Sequence, residues 1–286
     1  MNYPFISIIM NCHNCQKYLK TAIDSVYKQT YRNWEIIFFD NCSSDQSANI
    51  AKSYDQKLKY KLNSQKTILG EARFNAAKYA NGDLIAFLDC DDKWLPKKLE
   101  KQIKYFKNDN IGLVYAKTKV IYEDNPTLNF IFNKNRTELC GDIFEDLLKE
   151  NFITFSSAIV DRIKFEKVGG FPKHYKNSTD YFLFLNLSKE YHCIGVNEVL
   201  CEYRVHSSNL SETQRIIAIK EVIESLENLL PDEKIKKGLK YHYAHLALAL
   251  LKERKFFDST KLIFKYNLVF SIIQRIYKTM LIKINF

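Results

Sequence analysis

The residues of this chain that are best suited to a chemical function are three carboxylates that directly follow an apolar run. Residues 84–92 have the sequence LIAFLDCDD, in which five apolar residues lead into Asp89, Asp91 and Asp92. The apolar run is typical of a buried strand, and open α/β sheets bind ligands beyond the carboxyl ends of such strands. Carboxylates this close repel one another unless a cation lies among them, and oxygen ligands suit hard Mg²⁺ or Mn²⁺. The pattern therefore predicts a divalent-cation site; the simpler alternative is a solvated acidic turn.

Two further polar residues, Asn11 and Asp40, follow strands predicted at 5–10 and 34–39. Because the carboxyl ends of parallel strands meet at one edge of a sheet, we expect both side chains beside Asp89. The loop after the first strand contains no glycine, which argues against the glycine-rich loops that cradle phosphates. A carboxylate-bound metal is then the available means of holding phosphate. Asp40 is suited to hydrogen bonding to a base or ribose. The alternative role for this residue is to cap the N-terminus of the following helix.

Alternating hydrophobic patterns predict the elements that position these residues. Strands are expected at 5–10, 34–39, 59–62, 84–88 and 111–115, and helices at 16–29, 45–54, 70–80 and 97–107. This alternation predicts an α/β fold with a parallel sheet covered by helices on both faces. From residue 212 onward the pattern is helical, with helices expected at 215–230, 232–251 and 259–284.

Composition and charge limit the class of protein. The 286 residues, 46% hydrophobic and 27% charged, suit one large α/β domain with additions or two small domains. The net charge is +10, but residues 252–286 carry eight Lys or Arg against two acids. Because the rest of the chain is close to balanced, a general nucleic-acid surface is disfavoured.

The seven cysteines are odd in number and scattered, which predicts reduced thiols and no disulfide framework. Cys12 and Cys15 form a C-x-x-C, but no second pair at zinc spacing follows, so a redox or zinc role is disfavoured. The N-terminus lacks the basic segment of a signal peptide, and no apolar run reaches 18 residues. We therefore expect a cytoplasmic protein without a membrane-spanning helix.

Seven short segments occur in a characteristic order along the chain. They are SIIMNCHN (7–14), DSVYKQTY (24–31), WEII (34–37), FDNCSSD (39–45), GEAR (70–73), ANGD (80–83) and DDKWLPKKL (91–99). With the DxDD at 89–92, this series resembles the family 2 glycosyltransferases, which have the GT-A fold, over about residues 5–210.

The resemblance implies a fold and a domain organisation. We expect a Rossmann-like, mixed, mostly parallel sheet flanked by helices over residues 1–210. This domain would divide into a nucleotide-binding half, 1–115, and an acceptor-binding half, 116–210. Residues 211–286 would then form an all-helical C-terminal extension.

The resemblance also implies residues for the nucleotide-sugar site. Asp40 matches the aspartate that hydrogen-bonds the base, usually uracil, and Arg73 matches an arginine of the loop near the nucleotide. Asn11 and His13 both lie in the loop after the first strand, where the family often has proline and an aromatic residue. His13 would then take the place of a ring that stacks on the base.

Four residues are implied near the metal and the diphosphate. Asp89 resembles the DxD member near the ribose, and Asp91 resembles the direct ligand of a Mn²⁺ or Mg²⁺ ion that bridges the diphosphate. The segment YRVH at 203–206 resembles the family's Tyr-Arg-x-His. It implies His206 as a further metal ligand and Arg204 as a possible diphosphate contact, whereas His206 is alternatively a surface or capping histidine.

The catalytic base implied by the resemblance is Asp180. The segment STDY at 178–181 matches the family's Glu-Asp motif, with Thr179 in place of the glutamate. The alternative is an acidic residue favoured at a helix N-terminus by the helix dipole. With Asp180 as the only assigned carboxylate, direct displacement with inversion is expected.

The expected activity is transfer of a hexose from a nucleotide sugar, with UDP preferred, to a glycan or polyprenyl-linked glycan of the bacterial cell surface. Lipopolysaccharide core, capsule repeat and lipid-linked glycan all fit as acceptors. Two alternatives stay open. The chain is either a non-catalytic sugar-nucleotide-binding module or membrane-surface scaffold, or, less favoured, a nucleotidyltransferase that releases pyrophosphate.

The last predicted helix, 259–284, is basic and amphipathic. Its cations near one face are Lys261, Lys265, Arg275, Lys278 and Lys283. Such a helix can lie in the interface of an anionic membrane, which would place the protein peripherally on the cytoplasmic face of the inner membrane. The alternative is that its apolar side packs on the preceding helices as ordinary core.

Overall fold

The first half of the chain alternates strands and helices as predicted. The structure is a computed structural model that describes residues 3–132, 134, 140–273, 275 and 276. Its first elements are β1 (Ile6–Cys12), α1 (Gln16–Tyr27), β2 (Trp34–Asp40), α2 (Ser47–Lys52), β3 (Leu58–Leu62), α3 (Leu69–Ala77), β4 (Leu84–Phe87), β5 (Lys93–Trp94), α4 (Lys98–Ile103) and β6 (Ile111–Tyr122). The predicted strand at 111–115 is therefore the start of a longer one.

The middle of the chain contains several elements, most of which the sequence patterns did not predict. They are β7 (Phe130–Phe132), β8 (Cys140–Gly141), α5 (Phe144–Leu147), β9 (Ile159–Asp161), α6 (Arg162–Lys167), α7 (Thr179–Glu190) and β10 (His192–Val205). Of these, only α7 was expected, as the helical run that follows Asp180.

Helices dominate the C-terminal region, as predicted. They are α8 (Leu210–Thr213), α9 (Arg215–Glu227), α10 (Glu233–Lys252) and α11 (Phe256–Tyr266). The single helix expected at 259–284 is wrong within the described residues, because Asn267 adopts a left-handed conformation, with φ 50°, and ends α11. The backbone is helical again at 269–273 and at 275–276, and residues 277–284 lie outside the described part. Over the described residues, no helix has the length and apolar character needed to cross a bilayer.

The strands form one mixed sheet with the order β3-β2-β1-β4-β9-β6-β10-β5, on which β7 pairs with β6 and β8 with β10. The strands β3, β2, β1 and β4 are parallel, and β9 runs antiparallel between β4 and β6. The predicted boundary between residues 115 and 116 falls inside β6, so the two halves are not separate units. One continuous sheet instead carries both.

Both faces of the sheet are covered, which explains the almost continuously apolar sequence of β1. Ile8 and Met10 pack into the core on the α1 side, whereas Ile9 packs into the larger core on the other side. That larger core also contains Leu185 of α7 and Leu226 of α9. The helical extension therefore shares its hydrophobic core with the sheet domain.

Candidate active site

A cleft with a volume of about 880 Å³ lies beyond the carboxyl ends of β1 and β4. This is the edge of the sheet at which α/β proteins bind ligands. The predicted site residues that line it are Asn11, His13, Arg73, Asp89, Asp91, Asp180 and His206. The fold therefore brings together seven residues from five stretches that are far apart in the sequence.

The acidic segment after β4 forms a tight turn, closed by a hydrogen bond of 3.1 Å from Asp92 N to Asp89 O. Asp92 is only 2% exposed, and its carboxylate accepts hydrogen bonds from Ser156 Oγ and from Arg204 N. Burial, reinforced by Asp91, raises the pKa of Asp92 well above its ordinary value. The three carboxylates therefore do not surround one cation as the sequence suggested, because Asp92 holds the turn from within the protein.

Asp91 and His206 form the pair that can hold a hard cation. Asp91 Oδ2 lies 3.1 Å from His206 Nε2 and 3.5 Å from Asn209 Nδ2. The other ring nitrogen of His206 is 2.8 Å from Ser208 Oγ, and the ring stacks on Tyr18 with centroids 5.2 Å apart. These contacts orient Nε2 towards the carboxylate. One carboxylate and one imidazole fit an ion such as Mg²⁺ or Mn²⁺, which takes its other ligands from substrate phosphates and water.

Arg73 connects the acidic turn to the start of α7. Its guanidinium is 5% exposed and donates to Asp89 Oδ1 at 2.9 Å and to Thr179 Oγ1 at 2.7 Å. The same group lies 3.7 Å above the centroid of the Phe155 ring. Burial raises the pKa of Asp89, and the nearby Arg73 charge opposes that shift. Arg73 therefore fixes the turn and α7 relative to each other.

Asp180 lies in the first turn of α7, where the helix dipole favours a negative charge. Its Oδ2 accepts a hydrogen bond of 3.1 Å from Asn151 Nδ2. Burial raises the pKa of the carboxyl, against an opposing effect of Arg73. A carboxylate with a raised pKa is a stronger general base than a solvated one.

The segment that leads into α7 is held by the helical extension. The buried carboxylate of Glu221 in α9 accepts hydrogen bonds from the backbone N–H groups of Lys176, Asn177 and Ser178. Ser178 Oγ also donates to Ala218 O at 3.0 Å. The position of α7, and with it that of Asp180, therefore depends on α9.

Asn11 and His13 lie on the β1–α1 side of the cleft. His13 Nδ1 lies 3.0 Å from Asn41 O, a contact that anchors the ring. Asn11 Nδ2 and Oδ1 are buried and have no hydrogen-bond partner within the part of the chain that the structure describes. Because an unpaired buried amide is costly, these atoms are suited to a polar ligand in the cleft.

Two predicted site residues do not line the cleft. Asp40 is fully buried, and its oxygens accept from Ser43 N at 2.8 Å and from Tyr60 OH at 2.6 Å. Arg204 Nε donates to Asp91 O at 3.1 Å, and its guanidinium lies over the Tyr18 ring. Both residues thus contact the loops that form the cleft, and the contacts of Asp40 with a base and of Arg204 with a diphosphate stay predictions.

Several residues of the site carried no recognisable signal in the sequence. Asn151 contacts Asp180 and Ser156 contacts Asp92, and Tyr18 positions the ring of His206. The hydroxyl of Tyr18 donates to Glu123 at the end of β6. The helical register of α1 could have suggested Tyr18. The other partners come from loops, whose path the sequence does not reveal.

Comparisons with known proteins agree with this arrangement. The family model described as Glycosyl transferase family 2 matches residues 7–169. The chain is 32% identical over 217 residues to the UDP-Glc:alpha-D-GlcNAc-diphosphoundecaprenol beta-1,3-glucosyltransferase WfgD of Escherichia coli. That alignment covers 75% of this chain and 82% of the relative.

Two solved structures share the fold. The structure of Staphylococcus aureus TarS 1–349 in complex with UDP has a TM-score of 0.64 at 18% identity, covering 83% of this chain and 70% of that one. The mannosyltransferase PcManGT of Pyrobaculum calidifontis, in complex with GDP-Man and Mn²⁺, has a TM-score of 0.66 at 16% identity. It covers 98% of this chain and 81% of its own. At these identities the likeness shows the fold, a mixed sheet with flanking helices, and no more.

Proposed function

Because the chain belongs to glycosyl transferase family 2 and is therefore a glycosyltransferase, we propose that it transfers a hexose from a UDP-sugar to an acceptor hydroxyl with inversion. The observation that carries this proposal is the position of Asp180. It is a half-buried carboxylate in the same cleft as the Asp91–His206 pair, and Arg73 lies between its helix and the acidic turn. A base and a diphosphate-binding pair are the two parts that direct displacement requires.

The donor would occupy the side of the cleft formed by Asn11, His13 and the acidic turn. The unpaired amide of Asn11 supplies a donor and an acceptor there, and the His13 ring offers a surface for a base. Asp89 then faces the ribose. The preference for UDP is supported by the donor named for WfgD and by the UDP complex of TarS.

A Mn²⁺ or Mg²⁺ ion would be held by Asp91 and His206. When bound, such an ion neutralises the charge that develops on the departing diphosphate. Ser208 and Tyr18 keep the imidazole aimed at Asp91, so this part of the site is already oriented. Arg204 holds the main chain of Asp91 in place through its bond to the carbonyl oxygen.

Asp180 would accept the proton of the acceptor hydroxyl as that oxygen attacks the anomeric carbon. The proton ends on the carboxylate, and the bond to the diphosphate breaks on the opposite face of the sugar, which inverts the anomeric centre. Asn151 fixes the orientation of the carboxylate through its bond to Oδ2. General-base catalysis of this kind typically contributes about 10²–10⁴-fold to a rate.

We also propose a lipid-linked glycan as the acceptor, reached at an anionic membrane surface on the cytoplasmic side. The acceptor named for WfgD is a diphosphoundecaprenol-linked sugar. In this chain, α11 and the residues after it expose large apolar side chains, which we call the C-terminal apolar surface: Phe256, Phe257, Phe264, Val269, Phe270 and Ile273. Lys261 and Lys265 lie on the same helix, and this mixture of aromatic and basic groups suits a membrane interface.

The test is release of UDP from a panel of UDP-sugars with Mn²⁺, with and without a polyprenyl-diphosphate-linked GlcNAc acceptor. We expect acceptor-dependent turnover that Asp180→Asn lowers by at least about 100-fold, while UDP still binds. Asp109→Asn, at an exposed position, is the matched control. Tight UDP binding without turnover would instead favour a non-catalytic module, and release of pyrophosphate from a nucleoside triphosphate would favour nucleotidyl transfer.

A further inference from the structure

Three cysteines meet beside the candidate active site, although the sequence places them far apart. Cys12 ends β1, Cys15 immediately precedes α1, and Cys90 lies in the acidic turn after β4. The parallel register that pairs Ile9 with Phe87 also places Cys12 level with Cys90. Their three sulfur atoms all lie within 4.8 Å of one another. Within the described residues, this is the one group of three or more cysteine, histidine or acidic side chains that is this compact.

We propose that Cys12, Cys15 and Cys90 form a binding site for a soft or borderline cation of the Zn²⁺ class. This site would be separate from the hard-cation pair of Asp91 and His206. Thiolate sulfur selects ions such as Zn²⁺, whereas carboxylate oxygen suits Mg²⁺ and Mn²⁺. Two neighbouring sites of different chemical hardness would therefore hold different ions.

The distances fit such an ion with little movement. Zinc–sulfur bonds of about 2.3 Å in a tetrahedron place two sulfur ligands about 3.8 Å apart. Since the sulfur atoms are already within 4.8 Å of one another, each pair needs to approach by at most about 1 Å. Cys12 and Cys90 are 2% and 3% exposed, so both are enclosed by protein. All three residues line the cleft, which leaves a fourth ligand position open to water or another small ligand.

The loop between Cys12 and Cys15 is shaped so that both side chains reach one point. Asn14 adopts a left-handed conformation, with φ 57°, which asparagine tolerates better than most residues. Its side-chain oxygen accepts from Ser44 N at 2.8 Å, and its N–H donates to Ser43 Oγ at 3.0 Å. The turn is thus fixed by contacts outside the thiol group.

The hydrogen bonds among the three thiols lower the pKa of Cys12 and raise the pKa values of Cys15 and Cys90. Cys15 caps the N-terminal end of α1, a helix of 12 residues with no acidic residue in its first turn. The positive end of the helix dipole at Cys15 favours a negative charge beside it, such as that of a metal-bound thiolate. The Cys90 thiol donates a hydrogen bond of 3.3 Å to Asn11 O, a contact that ties the acidic turn to β1.

The proposal is tested by Zn²⁺ binding to the full chain under reducing conditions, without nucleotide, measured by competition with a chromophoric chelator. We expect one Zn²⁺ per chain at this site and, with Co²⁺ as a probe, thiolate-to-metal charge-transfer absorption. Cys12→Ser or Cys90→Ser should weaken Zn²⁺ binding by at least about tenfold and remove that absorption. Cys42→Ser and Cys193→Ser, at free cysteines outside the group, should change neither.

A second measurement avoids variants of buried residues. In the wild-type chain, Zn²⁺ should protect Cys15, the half-buried member of the group, from iodoacetamide, as mapped by mass spectrometry, while labelling of the half-buried Cys42 is unchanged. The proposal is overturned if protection is absent, if Cys12→Ser and Cys90→Ser bind Zn²⁺ as wild type does, or if the reduced chain binds no Zn²⁺. Asp91→Asn should retain the ion, and its loss there would mean that Zn²⁺ occupies the carboxylate site. None of these measurements requires glycosyl transfer.

Discussion

The hydroxyl of Thr179 accepts a hydrogen bond of 2.7 Å from the buried guanidinium of Arg73. Thr179 occupies the position at which the family motif has glutamate, so the acceptor oxygen is retained although the charge is lost. Thr179→Val removes the oxygen at nearly constant shape and leaves a buried N–H unpaired. We expect the free energy of unfolding to fall by about 1–3 kcal/mol, measured by urea denaturation.

Thr179→Ser, which keeps the hydroxyl, is the control for that substitution. It should retain most of the stability and of the turnover with a UDP-sugar. If Thr179→Val and Thr179→Ser behaved alike, the bond to Arg73 would have no part in connecting the acidic turn to α7.

The pH profile should report the environment of Asp180. Since a general base must be ionised, kcat/KM falls as the pH drops through its pKa, which burial raises above the ordinary carboxyl value of about 3.9. Asn151→Ala removes the N–H that stabilises the ionised form. The acidic limb of kcat/KM should therefore move to higher pH in Asn151→Ala.

Asn186→Ala serves as the control for this shift, because the Asn186 amide donates to Phe182 O within the same helix. Its acidic limb should match that of the wild type.

The raised pKa of Asp180 also affects the pH dependence of stability. Between the pKa of Asp180 in the unfolded chain and its pKa in the folded chain, the folded chain binds more protons than the unfolded chain. The contribution of Asp180 to stability therefore declines as pH rises through that window, a dependence that Asp180→Asn should remove.

The apparent affinity for Mn²⁺ in the presence of UDP should depend on His206. His206→Gln removes one of the two proposed ligands, and we expect binding to weaken by about 10–100-fold, measured by titration calorimetry. Ser208→Ala removes only the contact to the other ring nitrogen and should have a smaller effect in the same direction. An unchanged Mn²⁺ affinity in His206→Gln would place the ion elsewhere, and full turnover in EDTA would exclude a metal requirement.

Binding to anionic vesicles should depend on the exposed face of α11. Phe257 and Phe264 are each 81% exposed, whereas Leu268, just after α11, is fully buried in the core. We expect Phe257→Ser and Phe264→Ser each to lower partitioning to phosphatidylglycerol vesicles by about tenfold, because each loses an inserted ring. Both variants should remain folded by circular dichroism, which a truncation before Ser259 would not ensure.

Leu62→Ser, on β3, tests whether loss of any exposed apolar side chain gives the same result. Its partitioning should stay close to that of the wild type. Equal binding of wild type, Phe257→Ser and Phe264→Ser would contradict a membrane role for the C-terminal apolar surface.

Removing the Glu221 carboxylate should impair transfer more than donor binding. Glu221→Ala leaves three backbone N–H groups without their acceptor directly before α7. We expect kcat to fall by about tenfold or more, while the Kd for UDP changes little, since no donor-site residue contacts Glu221. Glu224→Ala, exposed on the same helix and paired with His174, should leave both quantities unchanged. A parallel loss of UDP affinity in Glu221→Ala would show a general loss of structure instead.

Much of the first half of the fold was predictable, because β1, β2 and β4 are apolar runs and α1 has a clear helical period. β10 was missed because Asn197, Glu198 and Glu202 interrupt its apolar pattern, although it is the central partner of β6. The break at Asn267 was missed because the apolar period continues across it, and only the left-handed backbone ends the helix.

The site was predictable as a set of residues but not as a set of contacts. Asp91, Asp180 and His206, which the motifs singled out, all line one cleft. The motifs could not show that Tyr60 donates a hydrogen bond to Asp40, because that contact depends on the pairing of β2 with β3. The same limit applies to Cys90, which joins the C-x-x-C only through the pairing of β1 with β4.

Because Glu221 accepts hydrogen bonds from the backbone directly before α7, the C-terminal helices cannot be exchanged between relatives as an independent unit. A chimaera that keeps the sheet and replaces residues after 210 must also supply an acceptor for the same three N–H groups. Sequence divergence in those helices can therefore change the position of Asp180 relative to the acceptor hydroxyl, without a change in any residue that contacts the nucleotide.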